Sequence, residues 1–140
     1  MSFDQHKAMS RRSLEMWSSD NADTAEAIFA DNYVNNQEPY VEGGVRGLDL
    51  PAWKDLLRDF HRAFTDCRVD IRMQIAEGEL VATRWQMTAT NSGPHEGRPP
   101  THERVSWTGV EIDRFAAGKI VESWVDRDKY RMAEQLGWVT

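Results

Sequence analysis

The spacing of apolar positions changes character along the chain, and each change marks a different kind of element. From Phe3 to Trp17, the residues Ala8, Met9, Leu14, Met16 and Trp17 recur at roughly helical intervals until Ser18-Ser19-Asp20-Asn21 breaks the pattern. Asp23, with Glu26 three residues on, resembles a capping box. It opens a short second helix through Ala27, Ile28 and Phe29 that ends near Asp31-Asn32. Tyr33-Val34 is β-prone, and Gln37 to Gly47, holding Pro39, Gly43, Gly44 and Gly47, reads as an irregular loop. A third helix follows, with Asp49 as cap and Pro51 in the first turn. Trp53, Leu56, Leu57, Phe60, Ala63 and Phe64 trace its buried stripe.

After Thr65-Asp66 the period becomes two. Cys67, Val69, Ile71, Met73 and Ile75 alternate with polar residues up to a turn at Glu77-Gly78. Glu79 to Asn91 continues as a strand with Val81, Thr83, Trp85 and Met87 on one face. Ser92 to Arg104, rich in Gly and Pro, is a connection longer than a hairpin needs, of the kind that covers a site. Val105 to Phe115 and Lys119 to Asp126 make two more strands around the turn Ala116-Ala117-Gly118. Asp128 then caps a last helix through Leu136, with Gly137 as its stop. Helices followed by consecutive antiparallel strands predict an α+β fold. In it, four strands curve around the third helix as a cone with one open end, a natural pocket.

Composition narrows the function. The chain has 140 residues, one domain's worth, and 17 Lys+Arg against 23 Asp+Glu give a formal charge of −6. That balance argues against a nucleic-acid partner, which needs a basic face. No stretch approaches the ~20 apolar residues of a membrane span, and Met1 to Asp20 lacks a signal-peptide pattern, so a soluble, cytoplasmic protein with no membrane partner is expected. The single Cys67 makes no internal disulfide, and His6, His61, His95 and His102 lack metal-ligand spacing, so no metal is expected. There is no nucleophile elbow and no phosphate loop, so no nucleotide cofactor is indicated. The six tryptophans suit either a core or the walls of a pocket for a polycyclic ligand.

Period two also sorts the candidate chemistry by facing. Trp107, Gly109, Glu111 and Asp113 share one face of their strand; Glu122, Trp124 and Asp126 share one face of the next. If both faces point inward, carboxylates and indoles line one cavity, where burial and repulsion would raise a carboxyl pKa into the range of a general acid/base. The ordinary alternative puts Val110 and Ile112 in the core and the acids in solvent, as most acidic residues are. For Glu122 and Trp124 the two readings balance, since Val121 and Val125 offer an equally good core face. Arg84 reads as a surface charge. His102 could reach over the pocket as a proton carrier, although a lone loop histidine is ordinarily exposed.

Seven ordered segments carry a resemblance. They are Phe29 to Asn36, Phe64-Thr65-Asp66, Leu80 to Trp85, Arg98-Pro99-Pro100-Thr101, Val105 to Gly109, Gly118 to Trp124 and Gln135-Leu136-Gly137. Together the set resembles the SnoaL-like polyketide (ester) cyclases. The resemblance implies an NTF2-like cone, a small-molecule substrate, no cofactor, a homodimer formed through the exposed sheet face, and an intramolecular aldol closure run by an acidic side chain. It puts the acid/base at Asp126 or Asp128, and the family's substrate-contacting polar pair on Glu111 and Asp113. Tyr33, Asn36, Trp85, Asn91, His102, Trp107, Glu122 and Trp124 complete the expected site. Asn36 and Asn91 stand where the family often has histidine, and asparagine carries no proton at neutral pH. From that departure comes a second reading, a binding domain without turnover; a dehydratase, isomerase or hydrolase on the same cone is a third. Trp107 and Trp124, at least, are expected to line the cavity.

Overall fold

A serine and an aspartate start the two long helices. In the computed structural model, which describes residues 1–19, 22–37 and 45–139, Ser2 caps α1 (Phe3–Glu15). Its hydroxyl accepts the Gln5 N–H at 3.1 Å, and the Gln5 side chain accepts the Ser2 N–H at 2.8 Å. A 3₁₀ turn (Ala22–Thr24) leads into α2 (Ala25–Ile28), whose cap position falls on Thr24 rather than Asp23. This helix is shorter than the periodicity predicts, because Phe29 already begins β1 (Phe29–Gln37), where Phe29 and Tyr33 are buried in the sheet. The predicted loop also ends early, at β2 (Val45–Leu48). Its Pro39 and Gly43-Gly44 portion lies outside the described residues, as do Asp20-Asn21. Asp49 caps α3 (Leu50–Ala63), accepting the Ala52 N–H at 3.0 Å, and Trp53, Leu57, Phe60 and Ala63 form its buried stripe.

The strands β3 (Phe64–Glu77), β4 (Leu80–Asn91), β5 (Arg104–Ala116) and β6 (Lys119–Arg127) follow, then α4 (Lys129–Gln135). Six strands, rather than the four expected, form one mixed sheet in the order β2-β1-β6-β5-β4-β3, parallel only between β1 and β6. The α+β class is as predicted. α1 packs on β3 and β4, α3 on β1 and β3, and α4 on β5, so the helices cover one sheet face and leave the other open. No helix among the described residues is long and apolar enough to cross a membrane.

Irregularities in the ladder decide which side chains reach the covered face. Ile71 pairs with Trp85 but Met73 with Arg84, so Arg72 is an extra residue, a bulge that reverses the phase of the rest of β3. Met73 and Ile75, predicted to continue the buried stripe, are 54% and 60% exposed on the outer face, while Gln74 turns inward to donate to the Lys7 carbonyl at 2.9 Å. β5 has no such break beside β4. Its inner residues are Val105, Trp107, Gly109, Glu111, Asp113 and Phe115, all buried, and Val110 and Ile112 lie outside. The reading that puts the two valine and isoleucine side chains in the core is therefore reversed.

Candidate functional site

The covered face of β4, β5 and β6 is built in rows, because directly opposed residues of antiparallel neighbours point to the same side. Trp85, Gly109 and Arg127 form one row, Thr83, Glu111 and Val125 the next, and Val81, Asp113 and Ser123 the third. Met87 and Trp107 pair one step beyond Gly109. A cavity of about 410 Å³, its open mouth included, lies over these rows. It is lined by Leu14, Trp17, Gln37, Phe60, Val69, Trp85, Met87, Trp107, Glu111, Val125 and Arg127.

Gly109 is what lets the wall form. A Cβ there would lie 2.2 Å from Cζ2 of Trp85, so the indole rests directly on the bare backbone of β5. The indole Nε1 is buried and has no hydrogen-bond partner. Trp107 packs edge-on to Phe60 and Phe64, at 6.2 and 5.6 Å between centroids. Trp17, which the helical stripe assigns to the core, bridges Trp53 and Phe60 and also lines the cavity.

A buried carboxyl pair joins the cavity through Glu111. Glu111 is 6% exposed and Asp113 fully buried. Ser123 donates to Asp113 Oδ1 at 2.6 Å, and Asp113 Oδ2 has no hydrogen-bond partner of its own. Burial and the neighbouring Asp113 charge push the Glu111 pKa well above the usual carboxylate range. Burial raises Asp113 too, opposed by hydrogen bonding from Glu111 and the Ser123 hydroxyl. Both carboxyls therefore hold a proton to higher pH than they would in water, Glu111 the more strongly. Beside the pair runs a polar chain on β1: Gln37 donates to Asn35 Oδ1 at 2.6 Å and Asn35 to the Tyr33 hydroxyl at 2.8 Å. Burial and both acids raise the Tyr33 pKa, so its phenol stays protonated.

Several expected site residues lie elsewhere. Glu111 opposes Val125 and Asp113 opposes Ser123, so the strand phase carrying Glu122, Trp124 and Asp126 must point to the outer face. Trp124 therefore does not line the cavity. Glu122 instead binds Arg114 at 3.2 Å and accepts from Asn36 Nδ2 at 3.1 Å. Asp126 is exposed, and Asp128, also exposed, caps α4 by accepting the Arg131 N–H at 2.9 Å. Asn36 also accepts the Gly47 N–H at 3.1 Å, fastening β2 to β1 and β6. Asn91 donates to the Ala63 and Gly93 carbonyls at 3.1 and 3.0 Å and accepts the Thr101 N–H at 2.8 Å, which fastens the 92–103 connection to the end of α3. That connection packs on Phe64 and Trp138 through His95 and contributes no lining residue. His102 is exposed, and Tyr33 sits behind the wall against Phe29 and Trp53.

Arg127 and Gln37 are lining residues that sequence periodicity does not reveal. Arg127 sits one residue beyond the predicted end of its strand and Gln37 at the predicted start of a loop, so neither carried a facing. Burial lifts the Cys67 thiol to about 11, which leaves it protonated and unsuited as a nucleophile. Among the described residues, no three His, Cys, Asp or Glu side chains stand together as a metal site.

Comparison with known proteins returns one family and the same fold. The sequence matches the family described as SnoaL-like polyketide cyclase over residues 7–136. AclR of Streptomyces galilaeus, a proposed hydroxylase, superposes with a TM-score of 0.86 at 27% identity, over 99% of this chain and 84% of that one. IdmH of Streptomyces antibioticus, a proposed polyketide cyclase, gives 0.82 at 26% identity over 95% and 99%. A proposed polyketide cyclase of Acidithiobacillus ferrooxidans gives 0.84 at 25% identity over the whole of both chains. No functionally curated protein matches in sequence. With the family pattern running through 7–136 and the fold shared from end to end, the chain belongs to the SnoaL-like polyketide cyclases of the NTF2-like fold.

Proposed function

We propose that this chain is a cyclase-type enzyme that closes a ring in a planar, carbonyl-rich, polyketide-like molecule, with Glu111 as the group that moves the proton. The observation that carries the reading is a carboxyl of raised pKa lining an aromatic cavity, backed by a second, fully buried carboxyl. In an aldol closure a C–H beside a carbonyl breaks, and its proton passes to the Glu111 carboxylate while its electrons enter the enolate. The enolate carbon then attacks a second carbonyl carbon of the same molecule. The new C–C bond forms, the carbonyl π electrons move onto oxygen, and Glu111 returns the proton there. No electrons leave the substrate, so Asp113, Ser123 and the apolar walls have only to hold the proton affinity of Glu111 high and keep water away.

Glu111 lines the cavity with a raised proton affinity, and that favours acid/base chemistry over a binding domain without turnover, whose ligand would need only a hydrogen-bonding group there. The test is Glu111→Gln, assayed on an open-chain poly-β-ketone by product mass and by hydrogen–deuterium exchange at the activated carbon. A loss of at least about 100-fold is expected; unchanged turnover would refute the role. The ionised form is the base, so kcat falls with acidification along a limb lying above the ordinary carboxylate range.

We also infer that two copies pair through the open sheet face. Ile75, Ala82, Ile112 and Trp124 form one row there, and Met73, Arg84, Val110 and Asp126 the next, with Val110 and Ile112 about 40% exposed (40% and 37%). With a two-fold axis along β5, Arg84 of each copy meets the other's Asp126, and the apolar residues between them are covered.

A further inference from the structure

We propose that Ser123 and Tyr33 are positioning residues that divide the carboxyl pair, fixing Asp113 as the ionised member and leaving the proton on Glu111, the member that lines the cavity. The inference rests on the reading of Glu111 above and names the residues that set its protonation. Ser123 is the meeting point. β6 pairs with β5 on one side and with β1 on the other, so Ser123 lies directly between Asp113 and Asn35, and all three are fully buried. A buried hydroxyl or amide has to place each proton it carries, and that requirement gives its hydrogen bonds a direction.

The direction runs toward Asp113. Gln37 donates to Asn35 Oδ1, so the Asn35 amide presents its N–H to the Tyr33 oxygen. Tyr33 therefore accepts from Asn35, and its own proton is directed to Ser123, to which the phenol is also hydrogen-bonded. Ser123 in turn gives its single proton to Asp113 Oδ1 at 2.6 Å, a separation in the range of a hydroxyl bonded to a carboxylate. Each donor is polarised by the one behind it. At the other carboxyl the sense is opposite. Ser13 of α1 is hydrogen-bonded to Glu111 but gives its proton to the Ser10 carbonyl at 2.7 Å, so toward Glu111 it accepts, and Glu111 supplies the proton. Among the described residues, the titratable groups around the pair are Tyr33 from β1 and, one row along β6 from Glu111, Arg127. From α1, His6 stacks on Phe115 beyond Asp113, and burial keeps it neutral. β4 presents Val81 and Thr83.

The test reads the proton directly, by infrared spectroscopy on the full chain at neutral pH, isotope-labelled in the carboxyl carbon of glutamate or of aspartate. A protonated carboxyl absorbs apart from carboxylates. Its band is expected to move with the glutamate label, to stay with the aspartate label, and to lose its glutamate-sensitive part in Glu111→Gln. In Ser123→Ala, where the Asp113 charge has lost its donor, the band should move with both labels. Tyr33→Phe should show the same change to a smaller extent, and Ser123→Thr should restore the wild-type pattern. A wild-type band that follows aspartate, no such band at all, or a Ser123→Ala pattern identical to the wild type overturns the proposal. If Ser123→Ala does not fold, the wild-type labelling and Tyr33→Phe decide the matter, an unchanged Tyr33→Phe pattern refuting it. Turnover gives a second readout. The acid limb of kcat should move to lower pH by about one pH unit in Ser123→Ala, the effect of one charge-assisted hydrogen bond, whereas a merely structural role would lower kcat and leave the limb in place. The infrared result needs no turnover, so a chain inactive on the poly-β-ketone would refute the catalytic reading and leave this one standing.

Discussion

At the scale of single residues, the site depends on one missing side chain and one buried carboxyl pair. Gly109→Ala puts a methyl 2.2 Å from the Trp85 ring, so the indole must leave the β5 backbone. About 1–3 kcal/mol of stability should be lost, together with a change in near-ultraviolet circular dichroism, as for other overpacked cores. The carboxyl pair has a definite pH sign. The unfolded chain ionises Glu111 in the ordinary carboxylate range, whereas the folded chain holds its proton to a higher pH. The resulting stabilisation is complete below the unfolded pKa and is lost as pH rises through the folded one. Melting temperature should therefore decline on the alkaline side in the wild type, and Glu111→Gln should flatten that decline. Asp128 serves the last helix and not the chemistry. Asp128→Ala removes the α4 cap, at about 1 kcal/mol, and should leave turnover at wild-type level when assayed below the melting transition. Asp126→Asn should be catalytically silent as well.

At the scale of elements, the helices were the legible part. The stripe from Trp53 to Ala63 and the caps at Asp49 and Asp128 needed only local chemistry, and they form as read. Strand lengths were less legible. β1 begins four residues before the β-prone Tyr33-Val34 pair because it is a parallel neighbour of β6, from a part of the chain nearly ninety residues away (Asn35 pairs with Ser123). The bulge at Arg72 is invisible to a period-two reading, which carries Met73 and Ile75 on into the core. Both instead join Val110 and Ile112 on the open face. The two asparagines at positions where the family often has histidine are likewise structural at this scale. Asn91 alone closes four hydrogen bonds between α3, β4 and the following connection. Neither lines the cavity, and both spend their hydrogen bonds on the scaffold, so their not being histidine does not argue against turnover.

For the whole molecule, the sheet separates two surfaces with different uses. The covered face builds the cavity, while the open face carries the apolar rows that a second copy would bury. Ile112→Lys, set in the middle of those rows, should convert a dimeric mass to a monomeric one in light scattering at micromolar concentration. Its side chain points away from the cavity, so the variant should keep wild-type turnover in the ring-closure assay. A wild-type monomer at that concentration would count against the pairing.

Sequence alone was enough to determine the α+β order, the buried stripe of α3, the caps of α3 and α4, and the family. It also placed Trp107, Glu111 and Asp113 on one face of one strand, since each of these follows from local periodicity or an ordered set of motifs. It left open whether that face was the inner one, and it could not relate the face to the one carrying Glu122, Trp124 and Asp126. Tertiary structure decided both points through register. Val125 and Ser123, not Trp124, lie opposite the two acids, so one acidic face enters the cavity and the other must leave it. A shift of one residue in pairing would have exchanged them, and no property of either strand by itself specifies that shift.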